Sequence, residues 1–179
     1  MSNLILLNGS GGTSNSSSIF AQTTGSTPII GTPGGSLIGS GVGSLTFAAN
    51  TLNVGDSFEY NASGDIGSLN NEGFTLRVYL GAIQLVATTI TLPSLVISAN
   101  HWIVNVKFTI QTTGASSKVG TSIQFSTVKA NTLHYMHNVD SVASVDTTIS
   151  NTFDLTGNFT TNNPTNEVYS QIGVLTKTY

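Results

Sequence analysis

The sequence predicts an all-β protein: an antiparallel two-sheet sandwich, built as a single jelly roll with an extended N-terminal arm. Three observations support this fold class. Only 7% of the 179 residues are Asp, Glu, Lys or Arg, against about 25% in ordinary soluble domains. Ser, Thr, Asn and Gly are abundant instead, and hydroxyl and amide side chains compete with helical backbone hydrogen bonding. Apolar and polar residues also alternate with a period of two after residue 44, which is typical of half-buried strands.

The N-terminal segment over residues 1–43 is expected to form the arm, and residues 44–179 the jelly-roll domain. The arm is rich in Gly, Ser, Thr, Asn and Pro, with three short apolar islands at residues 19–20, 29–30 and 37–38. Such a composition buries too little apolar surface to offset chain entropy. Two interpretations stay open: the arm is disordered in the free subunit, or its islands dock onto a neighbouring subunit and become ordered on assembly.

Two runs beyond the arm give the clearest strands. In residues 102–110, five apolar side chains share one face and three polar side chains share the other. In residues 74–80, four apolar residues alternate with Thr, Arg and Tyr. Gly73 and Gly81 flank this second run, and we interpret both as turn residues. The apolar faces of both strands are expected to lie in the core.

Other parts of the domain show the same alternation. Further strands are expected at residues 44–48, 57–62, 83–91, 122–129, 132–138, 147–155 and 167–176. No run of ten or more residues carries a helical apolar stripe, and strands do not alternate with helices, so a parallel α/β sheet is not expected. About nine strands suit a jelly roll, which closes most sheet edges. An immunoglobulin-like sandwich is the alternative topology.

Residues 43–64 read GSLTFAANTLNVGDSFEYNASG. This segment resembles the opening of single jelly-roll virion proteins, a group that includes phage fibre and head-associated proteins and capsid-type proteins of large DNA viruses. In this pattern, Leu52 and Val54 are expected to plug one end of the sandwich, and Gly55-Asp56 to turn into the next strand. The resemblance continues loosely to residue 112 and covers the rest of the chain only by composition.

The resemblance implies a viral structural protein located in the virion. The expected function is that of a self-assembling capsid subunit, as a vertex (penton), minor capsid or decoration protein. Its expected partners are copies of itself, as a pentamer or trimer, and other capsid proteins that the arm would contact. The alternative is a trimeric fibre or spike head that binds a host receptor or glycan.

Aromatic side chains are the candidates for such glycan contacts, because their faces suit carbohydrate rings. Tyr79 and Tyr135 are the candidates, and loss of glycan binding on their substitution by Ala would test this role. Trp102 and Tyr60 are expected in the core instead, because each lies on the apolar face of its strand.

Composition argues against nucleic-acid and membrane partners. The chain carries five basic residues, spread singly, and its formal net charge is −3, so no phosphate-binding patch or basic arm is predicted. No apolar stretch approaches the roughly 18–20 residues that span a bilayer. The N-terminus has no basic region and only a four-residue apolar run, so no secretory signal is predicted.

No catalytic, cofactor-binding or metal-binding residue is predicted, and the chain is not expected to be an enzyme. There is no cysteine, and the eight acidic residues are scattered singly, which predicts solvated surface positions rather than a catalytic pair. The glycine-rich run at residues 39–43 lacks the helix that a nucleophile elbow or phosphate loop requires.

His134 and His137 stand three apart. On a strand this spacing points the two rings to opposite faces, which disfavours a metal site. A pH-sensitive contact between subunits is a hypothesis for these histidines.

Overall fold

The computed structural model describes residues 17–179, without the side chains of residues 142 and 143. In this part of the chain, thirteen strands and no helix are present, which confirms the all-β prediction. The strands are β1 (Ser17–Gln22), β2 (Ile29–Ile30), β3 (Gly35–Ser36), β4 (Gly41–Gly43), β5 (Thr46–Phe47), β6 (Ser57–Gly67), β7 (Glu72–Leu80), β8 (Ile83–Leu92), β9 (His101–Ile110), β10 (Ser117–Lys129), β11 (Thr132–Val145), β12 (Asn151–Phe159) and β13 (Glu167–Lys177). Residues 17–179 accordingly contain no helix that could cross a membrane.

The strands form two antiparallel sheets. The large sheet has the order β11-β10-β9-β6-β13-β1-β4, and β2 also pairs with β13. The small sheet has the order β3-β12-β7-β8, and β5 also pairs with β12. The two sheets form a sandwich, and their arrangement is compatible with the predicted jelly roll.

The core lies between the two sheets, as the alternation predicted. The apolar side chains on the inward faces of β7 and β9 are at most 3% exposed: Phe74, Leu76, Val78, Leu80, Trp102, Val104, Val106, Phe108 and Ile110. Aromatic rings from opposite sheets meet there, with 5.2 Å between the ring centroids of Tyr60 and Phe153. The rings of Phe74 and Phe125 lie 5.7 Å apart. Burying one large apolar side chain stabilises the fold by roughly 1.5–3 kcal/mol, so these contacts hold the two sheets together.

The strands expected at residues 57–62, 122–129 and 132–138 are longer than predicted, as β6, β10 and β11. Two other expected strands are shifted or shortened. The strand expected at residues 147–155 is β12, which begins at Asn151, because Asp146 organises a turn before it. The Asp146 side chain accepts a hydrogen bond from the Thr148 backbone N–H at 2.9 Å, and its carbonyl accepts one from Asn151 Nδ2 at 2.7 Å. The strand expected at residues 44–48 shortens to the two residues of β5.

The glycines on either side of the β7 run have different roles. Gly81 forms the predicted turn, with φ of +61°, a conformation that residues with a Cβ rarely adopt. The prediction of a turn at Gly73 is wrong, because this residue lies inside β7. A Cβ at Gly73 would come within 2.8 Å of Thr160 Cγ2, so the missing side chain makes room for the end of β12.

The segment that resembles virion proteins folds largely as expected. Leu52 is 5% exposed and closes one end of the sandwich, and Gly55 turns into β6 with φ of +93°. The expectation for Val54 is wrong, because its side chain is 64% exposed.

Residues 17–43 are extended and pack against the sandwich of their own chain. β1 pairs with β13, and β4 pairs with β1. Each apolar island buries one side chain, namely Phe20, Ile29 and Leu37. The interpretation that the islands dock onto a neighbouring subunit is therefore wrong for these three side chains, because their own chain covers them. Residues 1–16 of the predicted arm lie outside the described residues, and the division into arm and domain stays a prediction.

Candidate functional site: the outer face of the large sheet

The outer face of the large sheet, which points away from the small sheet, carries a row of exposed apolar side chains. Strand register aligns one outward side chain from each of five neighbouring strands. From β13 to β11, the row reads Ile172, Ser63, Ile103, Ser126 and Tyr135. The three large side chains are 59%, 61% and 52% exposed. Large and small residues alternate along the row, so each serine lies in a trough between two larger walls.

These troughs form a groove of about 390 Å³, which we call the sheet-face groove. Its volume falls within the roughly 300–1,000 Å³ that is typical of small-molecule sites. Its walls are Ile172, Ile103 and Tyr135, and none of the side chains that line it is charged. The strands beneath it pair with each other, so their main-chain groups are engaged and a ligand would be bonded by side chains.

A second row, parallel to the first, supplies amide groups. It reads Val174, Asn61, Asn105, Gln124 and His137. Asn105 Nδ2 donates to Asn61 Oδ1 at 2.7 Å and to Glu59 Oε1 at 2.5 Å. Asn61 Nδ2 donates to the same Glu59 oxygen at 3.0 Å. Glu59 therefore fixes the orientation of two amides at the groove.

The charge of Glu59 is balanced within the same face. Its pKa is lowered by the hydrogen bond from Asn61, against the opposing effect of burial, and further by Asn105 and by Lys107. Lys107 Nζ lies 3.7 Å from Glu59 Oε2. This ion pair is largely exposed and contributes little stability, but it leaves this end of the face without net charge.

At the opposite end of the face, Asp65 is the centre of a polar cluster. It is 6% exposed and accepts hydrogen bonds from three side chains. His101 Nδ1 lies 2.5 Å from Asp65 Oδ1, while the Tyr169 hydroxyl and Gln171 Nε2 donate to Oδ2 at 2.6 and 2.5 Å. The Trp102 indole donates to the Asp65 carbonyl at 3.1 Å, which ties this cluster to the core.

The ionisation of Asp65 follows from these contacts. Burial favours the neutral acid, but the hydrogen bonds from Tyr169, His101 and Gln171 outweigh it and lower the pKa of Asp65. The same hydrogen bond to Asp65 raises the pKa of Tyr169. The cluster is thus an ionised carboxylate held by three donors.

The two edges of the large sheet differ in length and in protection. β4 has three residues, and Gly43 within it has φ of +92°. β11 has fourteen residues and pairs with β10 but with no second strand in the described part of the chain. The edge strand of the small sheet, β8, lies alongside β11, and Asn138 Nδ2 of β11 donates to the Ala87 carbonyl of β8 at 2.8 Å. The two strands are not paired through their backbones, so β11 remains the longer of the two unpaired edges of the large sheet.

The structure separates the two tyrosines proposed for glycan contact. Tyr135 forms one wall of the sheet-face groove, whereas Tyr79 lies on the outer face of the small sheet. They cannot form one site. Tyr60 and Trp102 are at most 1% exposed, which confirms that both are core residues.

The histidines and carboxylates also have defined places. His137 is exposed on the outer face, and His134 points to the other side of β11, as the strand spacing predicted. No group of three or more potential metal-ligating side chains occurs within residues 17–179. The expectation that all carboxylates are solvated is wrong for Asp65 and Glu72, which are 6% and 3% exposed and accept hydrogen bonds from neighbouring residues. A third, Asp56, is 8% exposed and pairs with Lys177.

Sequence reasoning missed the apolar wall of the groove. Ile103 and Ile172 break the polar side of their strands, and this exception to the alternation was the available signal. The alignment of Ile103 with Tyr135 depends on the pairing of β9, β10 and β11.

Comparisons with known proteins do not assign this chain to a family. No protein-family model matches it, and no curated protein matches it. One similar solved structure is the CBM2 module of the evolved Dit of Lactobacillus casei BL23 phage J-1, at 9% identity and a TM-score of 0.38, covering 92% of this chain and 97% of that chain. Another is a legume lectin-like domain from Entamoeba histolytica, at 8% identity and a TM-score of 0.27, covering 69% and 73%. Neither similarity carries a conclusion about function.

Proposed function

We propose that this chain is a structural subunit of a virion and that it associates with copies of itself through the open edge of β11. The single observation that carries the proposal is this fourteen-residue edge, whose backbone is paired with β10 but with no second strand among residues 17–179. An unpaired edge presents a row of N–H and C=O groups that another chain can extend.

The side chains of β11 favour such a contact. The strand contains no proline or lysine, the residues that natural proteins use to block an edge. Leu133 and Val139 on this strand are 61% and 62% exposed. Packing them against a second copy would remove apolar surface from water, which stabilises an assembly.

Two properties of the sequence support a role in a particle. Residues 43–64 resemble the opening of single jelly-roll virion proteins. The low net charge of −3 also keeps electrostatic repulsion small when many copies pack together. Within this class, a vertex, minor capsid or decoration subunit is proposed, with the arm contacting other capsid proteins.

The edge contact is tested by measuring molar mass in solution, by light scattering over a range of protein concentrations. Wild-type protein is expected to form a closed oligomer, whose symmetry negative-stain microscopy would show. A Leu133→Lys/Val139→Lys variant is expected to be monomeric, because lysines disfavour pairing at an edge.

Thr91→Lys is the matched control, because Thr91 is also exposed on an edge strand, β8. This variant should keep the wild-type mass. A wild-type chain that stays monomeric and joins no particle would contradict the proposal, as would equal dissociation by the control.

His137 offers a second test of the same contact. It is exposed on β11, so protonation near a contact between copies would change the charge there. Oligomer dissociation in wild type and in His137→Gln is compared between neutral and acidic pH. Identical behaviour of the two proteins would contradict a role for His137.

A further inference from the structure

We propose that the sheet-face groove binds an uncharged saccharide. In this inference one sugar ring lies over Ser126 between the walls formed by Ile103 and Tyr135. The proposal goes beyond the structural role and does not depend on self-association. The backbone edge of β11 lies in the plane of the large sheet. Leu133 and Val139 point to the same side of β11 as Tyr135, but neither lines the groove.

The charge of the groove indicates the class of ligand. None of its lining side chains is charged, so a bound anion or cation would lose its hydration without gaining a counter-charge. The charged groups at either end are already engaged: Glu59 with Lys107, and Asp65 with His101. An uncharged ligand is the one that this surface accepts without an electrostatic cost.

The chemistry of the lining is amphipathic in the way that a sugar ring is. Ile103, Ile172 and Tyr135 offer apolar surface to ring C–H groups. The side chains of Ser63, Ser126 and Gln124 have no hydrogen-bond partner in the described part of the chain. They can therefore bond ligand hydroxyls that lose their water.

Other ligand classes fit this lining less well. An extended peptide gains most of its affinity by pairing with a free strand edge, but the groove lies on a sheet face whose strands are already paired. A wholly apolar ligand would bury Ser63 and Gln124 without hydrogen bonds, which costs free energy. A saccharide supplies hydroxyls for both.

The groove is also preorganised. Its residues lie on neighbouring strands of one sheet, and Glu59 holds the amides of Asn61 and Asn105. Binding then requires no reordering of these two amides, which favours affinity.

The test begins with wild-type protein on an array of neutral and acidic oligosaccharides, followed by calorimetry with the neutral oligosaccharide that binds best. Tyr135→Ala and Gln124→Ala are each expected to weaken binding by about tenfold or more. Both residues are exposed, and unchanged thermal unfolding would show that each variant is folded.

Tyr79→Ala is the matched control, because Tyr79 is the tyrosine on the outer face of the small sheet, and it should bind like wild type. Binding to no neutral oligosaccharide, a preference for acidic ones, or wild-type affinity in Tyr135→Ala and Gln124→Ala would overturn the proposal. The Leu133→Lys/Val139→Lys variant is expected to keep binding, so failure of the groove and failure of the edge contact are distinguishable.

Discussion

The two outer faces of the sandwich are built from the same kind of strand but use their polar side chains differently. On the small sheet, these side chains bond one another across strands. The pairs are Thr75 with Thr89 at 2.8 Å, Thr46 with Thr152 at 2.8 Å, Ser36 with Asp154 at 2.6 Å, and Arg77 with Asn158. On the large sheet, such bonds occur at the two ends of the face, around Glu59 and Asp65. Between them, Ser63, Ser126 and Gln124 lack such partners within residues 17–179 and lie beside exposed isoleucines. The polar side chains of the small sheet thus bond one another, whereas the middle of the large-sheet face is suited to contact with another molecule.

The largest difference between the faces in the free energy of unfolding is expected when an aspartate on each face is substituted. Asp65→Asn on the large sheet should lower the free energy of unfolding by roughly 2–3 kcal/mol, because three donors lose a charged acceptor. Asp154→Asn on the small sheet should cost only about 0.5–1 kcal/mol, because it loses one hydrogen bond, from Ser36. Urea unfolding measures both values, and equal losses would contradict the comparison.

Acid unfolding should isolate the ionised state of Asp65. Because its pKa is lower in the folded protein, the ionised form stabilises the fold above the pKa of an unfolded aspartate. This stability is lost as pH falls through the lower, folded value. Unfolding free energy measured from about pH 5 downward should fall more gently in Asp65→Asn than in wild type. Parallel pH profiles would show that the cluster does not hold the charge.

Cross-strand coupling should distinguish the hydroxyls of the two faces. A double-mutant cycle with Thr75→Val and Thr89→Val should give a coupling of about 0.2–1 kcal/mol, since the two hydroxyls bond each other. The pair Ser63→Ala and Ser126→Ala should couple by less than about 0.3 kcal/mol, because each lies in a separate trough. Strong coupling of the serines would indicate a hydrogen-bond network in the groove of the free protein.

The smallest change in the free energy of unfolding is expected on substitution of the exposed isoleucines. Ile103→Thr and Ile172→Thr should each change the free energy of unfolding by no more than about 0.5 kcal/mol, because these side chains are 61% and 59% exposed. Thr156→Ile, which adds an apolar residue to the small sheet, is the converse variant. A large loss of stability in Ile103→Thr would mean that this wall supports the fold rather than contacts with other molecules.

Much of the fold could be predicted from the sequence, because alternation is a local property. The faces of β7 and β9 were predicted residue by residue, and Trp102 lies in the core as expected. The short strands of residues 17–43 were not predicted, because β1, β2 and β3 pair with β13 or β12, more than a hundred residues away, and β4 pairs only with β1. The start of β12 was misplaced because a hydrogen bond to Asp146, rather than the apolar pattern, ends the preceding turn.

By itself, the sequence determined that this chain is a β-sandwich whose surface is polar but carries few charges. Composition and period-two alternation suffice for this conclusion, because both can be read from residues that are neighbours along the chain. It also determined that Tyr60 belongs to the core. Only the tertiary structure decided that Ile172, Ile103 and Tyr135 form one row, and that Tyr79 stands on the opposite face. The reason is physical: which residues of separate strands become neighbours is set by strand order and register, and these depend on the packing of the whole sandwich.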